Sequence, residues 1–217
     1  MAKGTPNRIS NFLTECRLLI EGALAGGPAA ELLASCGYDQ KALEAGQALY
    51  DRASALMADQ IKEYGDQYQA TAALDAAWTE ADAQYGKTVK LARVAFRDDV
   101  QAQGALMLAG IRPQSLSGWL EQVEVFYRNM LSTPRFWEAI ARFGLTREKL
   151  MAGQALVQAV ADRKTAQRKE TSEAQEATEQ RDAAMKALDR WAQDFRAVAK
   201  VALADRPQLL EGLGIRA

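Results

Sequence analysis

The chain has 217 residues, with 27 lysines and arginines, 28 aspartates and glutamates, and no histidine. The lack of histidine excludes Ser-His-Asp and Cys-His catalytic arrangements and every metal site that requires imidazole. A net charge of −1 provides no overall positive field for binding a nucleic-acid backbone. Alanine accounts for 42 residues, whereas valine, isoleucine and threonine together account for 25. Because alanine is the best helix former and β-branched residues favour strands, this composition predicts an all-α protein.

An internal repeat organises the sequence. Residues 10–107 align without a gap to residues 117–214, and 27 of the 98 aligned positions are identical. The clearest block is Ala-Gly-Gln-Ala-Leu, which stands at 45–49 and again at 152–156. A repeat of this kind indicates that one supersecondary unit is used twice. The sequence therefore predicts a tandem duplication of a helical bundle.

The two predicted bundles cover 9–112 and 116–217, either as separate bundles or packed as one pseudo-symmetric domain. Each repeat is expected to contain about three longer helices and short connecting helices. In the first repeat, a short helix should end at Gly37, where glycine suits a left-handed conformation, and Asp39 should cap the next helix. The aligned residues of the second repeat are Gly144 and Thr146.

The sequence leaves open whether the third and fourth helices of each repeat form a hairpin or one long helix. The Tyr-Gly-Asp segment at 64–66 is typical of a helix end followed by a new N-cap, and Gln69 completes a capping box. Ser172 and Gln175 supply the same box in the second repeat. The alternative is a helix of about 60 residues, roughly 90 Å long at 1.5 Å per residue. We expect the hairpin, with a polar tip projecting into solvent.

Four polar residues near the repeated block are candidate site residues. Gln47 and Gln154 each follow the glycine of that block, and Glu31 is aligned with Glu138. A glycine beside an amide is typical of helices that approach closely, and buried polar groups usually have hydrogen-bond partners. We interpret all four as buried polar contacts between helices, with a ligand pocket as the alternative.

Two tyrosines are candidate partner-binding residues. Tyr64 and Tyr68 lie near the predicted hairpin tip, where the second repeat has Thr171 and Gln175. Exposed tyrosines are favoured anchors of protein interfaces, whereas aromatic residues on a helical stripe more often belong to the core. The sequence therefore leaves partner binding and core packing as alternatives for Tyr64 and Tyr68.

The two cysteines are predicted to lie in the core rather than to act in catalysis. Cys16 aligns with Val123, and Cys36 aligns with Phe143, so each thiol takes the place of a hydrophobic side chain. The N-terminal segment lacks the apolar run of a secretory signal, and no uncharged apolar segment reaches 18 residues. We therefore expect reduced thiols, no membrane span and a cytoplasmic location.

No motif assembles a catalytic or metal-binding set, so the sequence predicts no catalytic residue, no metal ligand, no cofactor and no enzyme. The leading hypothesis is a non-enzymatic helical interaction or scaffold protein, with an unknown protein partner or self-association and no nucleic acid. The alternative is a small-molecule or lipid binder with a cavity between helices. Phe136 and Trp137 align with Ala29 and Ala30, which leaves room for unequal cavities. An enzyme that uses only carboxylates and lysines is the third interpretation.

Overall fold

A computed structural model describes residues 6–216 of the chain. Over this range the protein is all-helical, which confirms the predicted fold class, and it contains eight helices and no strand. The helices are α1 (Pro6–Leu24), α2 (Pro28–Ser35), α3 (Gln40–Ala95), α4 (Val100–Ala105), α5 (Leu116–Ser132), α6 (Pro134–Ala141), α7 (Arg147–Ala202) and α8 (Pro207–Gly212).

The predicted signals around the short helices α2 and α6 are confirmed. Gly37 and Gly144 have φ values of +91° and +77°, so both adopt the left-handed conformation after a helix end. Asp39 Oδ1 accepts a hydrogen bond of 2.9 Å from the backbone N–H of Ala42 at the start of α3. Local capping chemistry therefore fixes where the long helices begin.

The predicted hairpin between a third and a fourth helix is wrong. Residues 64–66 and Ser172 lie inside α3 and α7, each a continuous helix of 56 residues. A glycine inside a helix costs only about 1 kcal/mol relative to alanine. Ending one helix and starting another would leave four carbonyl and four N–H groups in need of new partners. Each repeat therefore has two longer and two short helices, and no hairpin tip projects within residues 6–216.

The chain divides into two compact units, and each unit contains segments of both sequence repeats. The terminal unit comprises residues 6–64 with 173–216, and the central unit comprises residues 65–172. These boundaries differ from those of the repeats, because α3 and α7 each contribute to both units. The repeat boundaries remain a prediction drawn from the sequence.

The terminal unit buries residues from α1, α2 and the first part of α3 together with residues from α8 and the last part of α7. Leu19 and Leu33 are in one buried cluster with Phe195 and Leu203, and Cys16 is in a second cluster with Leu188.

No single helix described in the structure is long and apolar enough to span a membrane. The pair 8–24 and 28–35 passes that test of length and composition only when taken together, and it is bent by 96°.

The two cysteines occupy different environments. Cys16 is completely buried, as predicted, but Cys36 is exposed, so the prediction of a core position is wrong for Cys36. Cys36 is the C-cap residue of α2 and lies beyond the last buried residue of that helix, Leu33. The aligned residue Phe143 is only partly buried. The alignment of Cys36 with Phe143 therefore does not indicate a core position for the thiol.

The core of the central unit lies between α5 and the last part of α3. The buried stripe of α5 includes Trp119, Phe126 and Tyr127, and it is in one cluster with Tyr85 and Phe96 of α3. Tyr85 makes edge-on ring contacts with Trp119 and Phe126 at centroid distances of 6.4 and 5.3 Å. This aromatic packing fixes the face of α3 that carries the site described below.

Candidate ligand-binding cleft

An acidic residue lies on the buried stripe of α3 in the central unit. Trp78, Ala81, Asp82 and Tyr85 follow one another at spacings of three, one and three residues, so they share one side of the helix. Ala81 and Tyr85 are only 2% and 1% exposed, whereas the side chain of Asp82 is 43% exposed. Asp82 therefore lies at the edge of the stripe, where a carboxylate remains accessible.

Two donors hold the Asp82 carboxylate. The indole Nε1 of Trp119 donates to Asp82 Oδ1 over 2.7 Å, and Arg112 Nη2 donates to the same oxygen. Asp82 Oδ2 receives no hydrogen bond from any residue in the range 6–216. The carboxylate is thus fixed in position through one oxygen, and its second oxygen keeps its capacity to accept a hydrogen bond.

Arg112 is positioned by the connector 106–115 between α4 and α5. Arg93 of α3 donates from Nε to the carbonyl oxygen of Leu108 over 2.9 Å, and Gln122 of α5 donates to the carbonyl oxygen of Met107 over 3.2 Å. Leu108 is also buried, at 4% exposure. Because side chains of two helices hold this backbone, Arg112 reaches Asp82 from an anchored segment rather than from a free loop.

Arg112 also contacts an aromatic ring. Its guanidinium carbon lies 5.2 Å from the centroid of the Tyr85 ring, a distance at which a cation is attracted to the ring face. Burial raises the pKa of Tyr85 to about 12, although the charge of Arg112 acts to lower it. Tyr85 therefore stays neutral near pH 7 and serves as a surface for the guanidinium group rather than as a base.

These residues line an open cleft of about 470 Å³ within the central unit. The lining residues are Trp78, Thr79, Asp82, Ala83, Arg112, Pro113, Gln114 and Trp119. The indole N–H of Trp78 is buried and has no hydrogen-bond acceptor. A buried donor without an acceptor costs about 1–3 kcal/mol, so an acceptor brought to this point would be stabilised.

The charged lining of the cleft is one ion pair. Its lining contains one carboxylate, on Asp82, and one guanidinium, on Arg112, already paired with each other. Thr79 also lines the cleft, and its hydroxyl donates to the carbonyl oxygen of Asp75 over 2.8 Å. A single carboxylate would give a metal ion one protein ligand, fewer than the three or four of typical zinc sites. The arrangement is suited to binding a small polar molecule with complementary charges.

The four predicted polar contacts lie elsewhere, and the prediction that they are buried is wrong. Gln154, Glu31 and Glu138 are exposed, and Gln47 is half-buried. Gln47 donates to Asp51 Oδ1 over 2.8 Å, which is a contact one turn along its own helix. The structure brings none of these residues into the cleft.

The glycines beside these glutamines form the close contacts instead. A Cβ atom added to Gly46 would lie 2.2 Å from the Trp191 ring in the terminal unit. A Cβ atom added to Gly153 would lie 2.3 Å from Tyr127 Oη in the central unit. One residue further along a helix is rotated by about 100°, which carries the glutamines away from the contact.

The two tyrosines singled out in the sequence lie on α3. Tyr64 is 38% exposed and Tyr68 is 72% exposed, and Ile61 on the same helix is 63% exposed. Ile61 and Tyr64 belong to the terminal unit, where a spacing of three residues places them on one side of the helix, whereas Tyr68 belongs to the central unit. Their role in binding a partner remains a prediction.

The two units contain hollows of different sizes, but not where the sequence suggested. A smaller hollow of about 210 Å³ in the terminal unit is lined by Leu49, Arg52, Ala183, Ala184 and Ala187. Phe136 and Ala29 are both buried and line neither hollow. The exchange of large for small residues at these positions is therefore absorbed by local packing.

Sequence reasoning missed Asp82, Arg112 and Trp119 as site residues. The available signal was Asp82 itself, a charged residue between Trp78 and Tyr85 on an otherwise apolar stripe. Arg112 carried no such signal, because it lies in a connector without helical periodicity. No protein-family model, no curated protein and no solved structure matches the chain.

Proposed function

We propose that the protein is a non-enzymatic binder of a small polar molecule, and that the ligand occupies the cleft of the central unit. The observation that carries this proposal is the Arg112–Asp82 pair held at the cleft by Trp119 and by the anchored connector. Ligand sites are typically concave, about 300–1,000 Å³ in volume, and lined by apolar groups with a few fixed polar ones. A cleft of about 470 Å³ with two tryptophans and one ion pair fits that description.

A thermal-shift screen of the full chain tests this proposal. The panel contains small anions, cations and zwitterions, each with and without an aromatic ring. We expect at least one class to raise the melting temperature of the wild type and not that of the Arg112→Gln variant. A panel that stabilises neither protein, or stabilises both equally, would contradict the proposal.

A second candidate function is protein interaction, either with a different protein or with a second copy of this chain. The observation in its favour is the exposure of Ile61 and Tyr64 on the part of α3 in the terminal unit, at 63% and 38%. Large exposed hydrophobic residues on one helix side are typical of interface anchors. Neither a protein partner nor nucleic acid is required for the cleft proposal.

Light scattering over a range of concentrations tests this second candidate. Self-association through this part of α3 predicts a mass above 23.7 kDa that returns to the monomer value in an Ile61→Lys, Tyr64→Lys variant. Val201→Lys, at a residue that is 76% exposed on α7, is the matched control and should leave the mass unchanged. A monomer at all concentrations would argue against self-association.

We also infer that the chain arose by duplication of one helical segment. The helices α1–α4 have 19, 8, 56 and 6 residues, and α5–α8 have 17, 8, 56 and 6. The ends of α4 and α8 share a hydrogen-bond pattern at the aligned positions, from Leu108 N to Gln103 O and from Ile215 N to Leu210 O. These similarities support a common origin.

A cytoplasmic location also remains a proposal. Its support is the sequence argument together with two free thiols, Cys16 and Cys36. A fluorescent fusion or fractionation of the producing cells would test it. Recovery of the protein from a membrane or exported fraction would contradict it.

A further inference from the structure

We propose that the ligand of the cleft is a zwitterion with adjacent opposite charges and an apolar side chain, that is, a free α-amino acid. This inference rests on the proposed function and names the ligand class of the same site. It is carried by the Arg112–Asp82 pair and by the apolar residues beside it.

The charge pattern of the cleft matches that of an α-amino acid. Arg112 and Asp82 are in direct contact, so a positive and a negative group lie side by side at the cleft. The carboxylate and ammonium groups of an α-amino acid are also neighbours, separated by a single carbon atom. A ligand of this kind can place its carboxylate against Arg112 and its ammonium group against Asp82.

Both protein groups retain the capacity that such a ligand needs. Arg112 uses Nη2 for Asp82, and a guanidinium group has five N–H donors in total. Asp82 accepts both of its hydrogen bonds through Oδ1, which leaves Oδ2 for an ammonium group. The side chains of Arg112 and Asp82 are 33% and 43% exposed, so a ligand can reach both without breaking the pair.

A ligand with one charge would fit less well. A simple carboxylate would approach Arg112 but would also lie beside the Asp82 carboxylate, and a simple amine would meet the opposite repulsion from Arg112. Like charges this close disfavour binding, whereas a zwitterion makes both contacts favourable. The pair therefore selects for two charges rather than for one.

The remaining lining favours an apolar side chain on the ligand. Trp78, Ala83 and Pro113 line the cleft beside the ion pair. We therefore choose phenylalanine as the probe, because its ring can contact Trp78 and its charges can meet the pair.

Calorimetric titration of the full chain at pH 7 compares three probes of similar size: L-phenylalanine, 3-phenylpropionate and 2-phenylethylamine. The second lacks the ammonium group and the third lacks the carboxylate. We expect L-phenylalanine to bind at least tenfold more tightly than either analogue. Equal or tighter binding of one analogue would overturn the inference and leave the proposed function in place.

Two variants assign the binding to the cleft. Asp82→Asn keeps an acceptor for Trp119 but removes the charge, and it should abolish the preference for L-phenylalanine over 3-phenylpropionate. Ala83→Arg fills the cleft from an exposed helical position and offers Asp82 a competing guanidinium group, and it should abolish binding. Asp189→Asn, at the aligned aspartate of the terminal unit, is the matched control and should bind like the wild type.

The different failures are distinguishable. Ala83→Arg remains informative if Asp82→Asn fails to fold. Unchanged binding by Ala83→Arg would overturn the inference. Failure of all three probes, with other panel compounds still stabilising the wild type through Arg112, would overturn the amino-acid class alone. Failure of the whole panel would contradict the proposed function as well.

Discussion

Gly153 of α7 lies directly against Tyr127 of α5, and a Cβ atom at Gly153 would be 2.3 Å from the tyrosine hydroxyl oxygen. Gly46 of α3 has the same relationship to Trp191 of α7, at 2.2 Å. The glycine shared by the two copies of the repeated block is therefore explained by packing. In each compact unit it makes room for a large aromatic ring.

Alanine at either glycine should destabilise the protein. Because the rings are buried or half-buried and cannot move freely, we expect Gly153→Ala and Gly46→Ala each to lower the free energy of unfolding by about 1–3 kcal/mol. Gly65→Ala is the control, since nothing lies within 4 Å of a Cβ atom there. That change should raise stability by about 0.5–1 kcal/mol through helix propensity. Urea unfolding measures all three, and equal effects would contradict this explanation.

The end of α4 contains a strained residue. Met107 has a φ of +48°, whereas the aligned Gly214 at the end of α8 has a φ of +72°. Met107→Asn should raise the free energy of unfolding by about 0.5–1 kcal/mol, because asparagine tolerates the left-handed conformation better. Gly214→Ala should lower it by about 1 kcal/mol for the converse reason. Thermal or urea unfolding tests the pair, and a less stable Met107→Asn variant would count against it.

The buried thiol makes stability depend on pH in the alkaline range. Burial raises the pKa of Cys16 from 9.0 to about 11, so the folded state keeps a proton that the unfolded state releases. The contribution of the protonated thiol to the free energy of unfolding is complete below pH 9. As the pH rises to about 11, up to about 3 kcal/mol of stability is lost. Cys16→Val introduces the side chain of the aligned Val123. Between pH 8 and pH 11, its free energy of unfolding should rise by that amount relative to that of the wild type. A constant difference across this range would contradict the assignment.

The composition of the units predicts how the protein responds to a cut in the connector. Each unit contains segments from both sides of residues 106–115. We expect a protease site inserted after Gly110 to yield two fragments that stay together in native gel filtration and separate only in denaturant. Two fragments that separate as folded species under native conditions would show that each sequence half forms its own unit.

Replacing Trp78 should affect ligand binding and stability differently. Trp78→Phe removes a buried N–H that lacks an acceptor, so the free energy of unfolding should change by less than about 1 kcal/mol or increase. The same change should weaken binding of L-phenylalanine at least fivefold, because it reduces the ring surface that lines the cleft. Trp137→Phe, outside the cleft, is the control for both measurements. A large loss of stability with unchanged affinity would contradict the role given to Trp78.

The fold was predictable from the sequence where local chemistry determines it. Alanine content gave the helical class, and Gly37 and Asp39 gave a helix end and a helix start. The continuity of α3 through Gly65 was not predictable from the same signals, because a turn motif and a tolerated glycine look alike in one sequence. The pairing of α3 with α5 in the central unit depends on tertiary packing, which a repeat alignment does not contain.

The candidate site, like the fold, could be predicted from the sequence only in part. Asp82 was missed although it is a charge on an apolar stripe, and its partner Arg112 lies 30 residues away in an irregular connector. Only the folded backbone brings the two together, through anchors on Arg93 and Gln122. The glutamines of the repeated block were misinterpreted, because the neighbouring glycines and not the amides make the close contacts between helices.

The most direct test of ligand binding in the cleft uses the indole N–H signals of the four tryptophans. In nitrogen-15 spectra of the full chain titrated with L-phenylalanine, we predict saturable shifts for Trp78 and Trp119. The signals of Trp137 and of Trp191, which lies in the terminal unit, should stay in place. Unmoved Trp78 and Trp119 signals at saturating L-phenylalanine, or a shift confined to Trp191, would contradict the account.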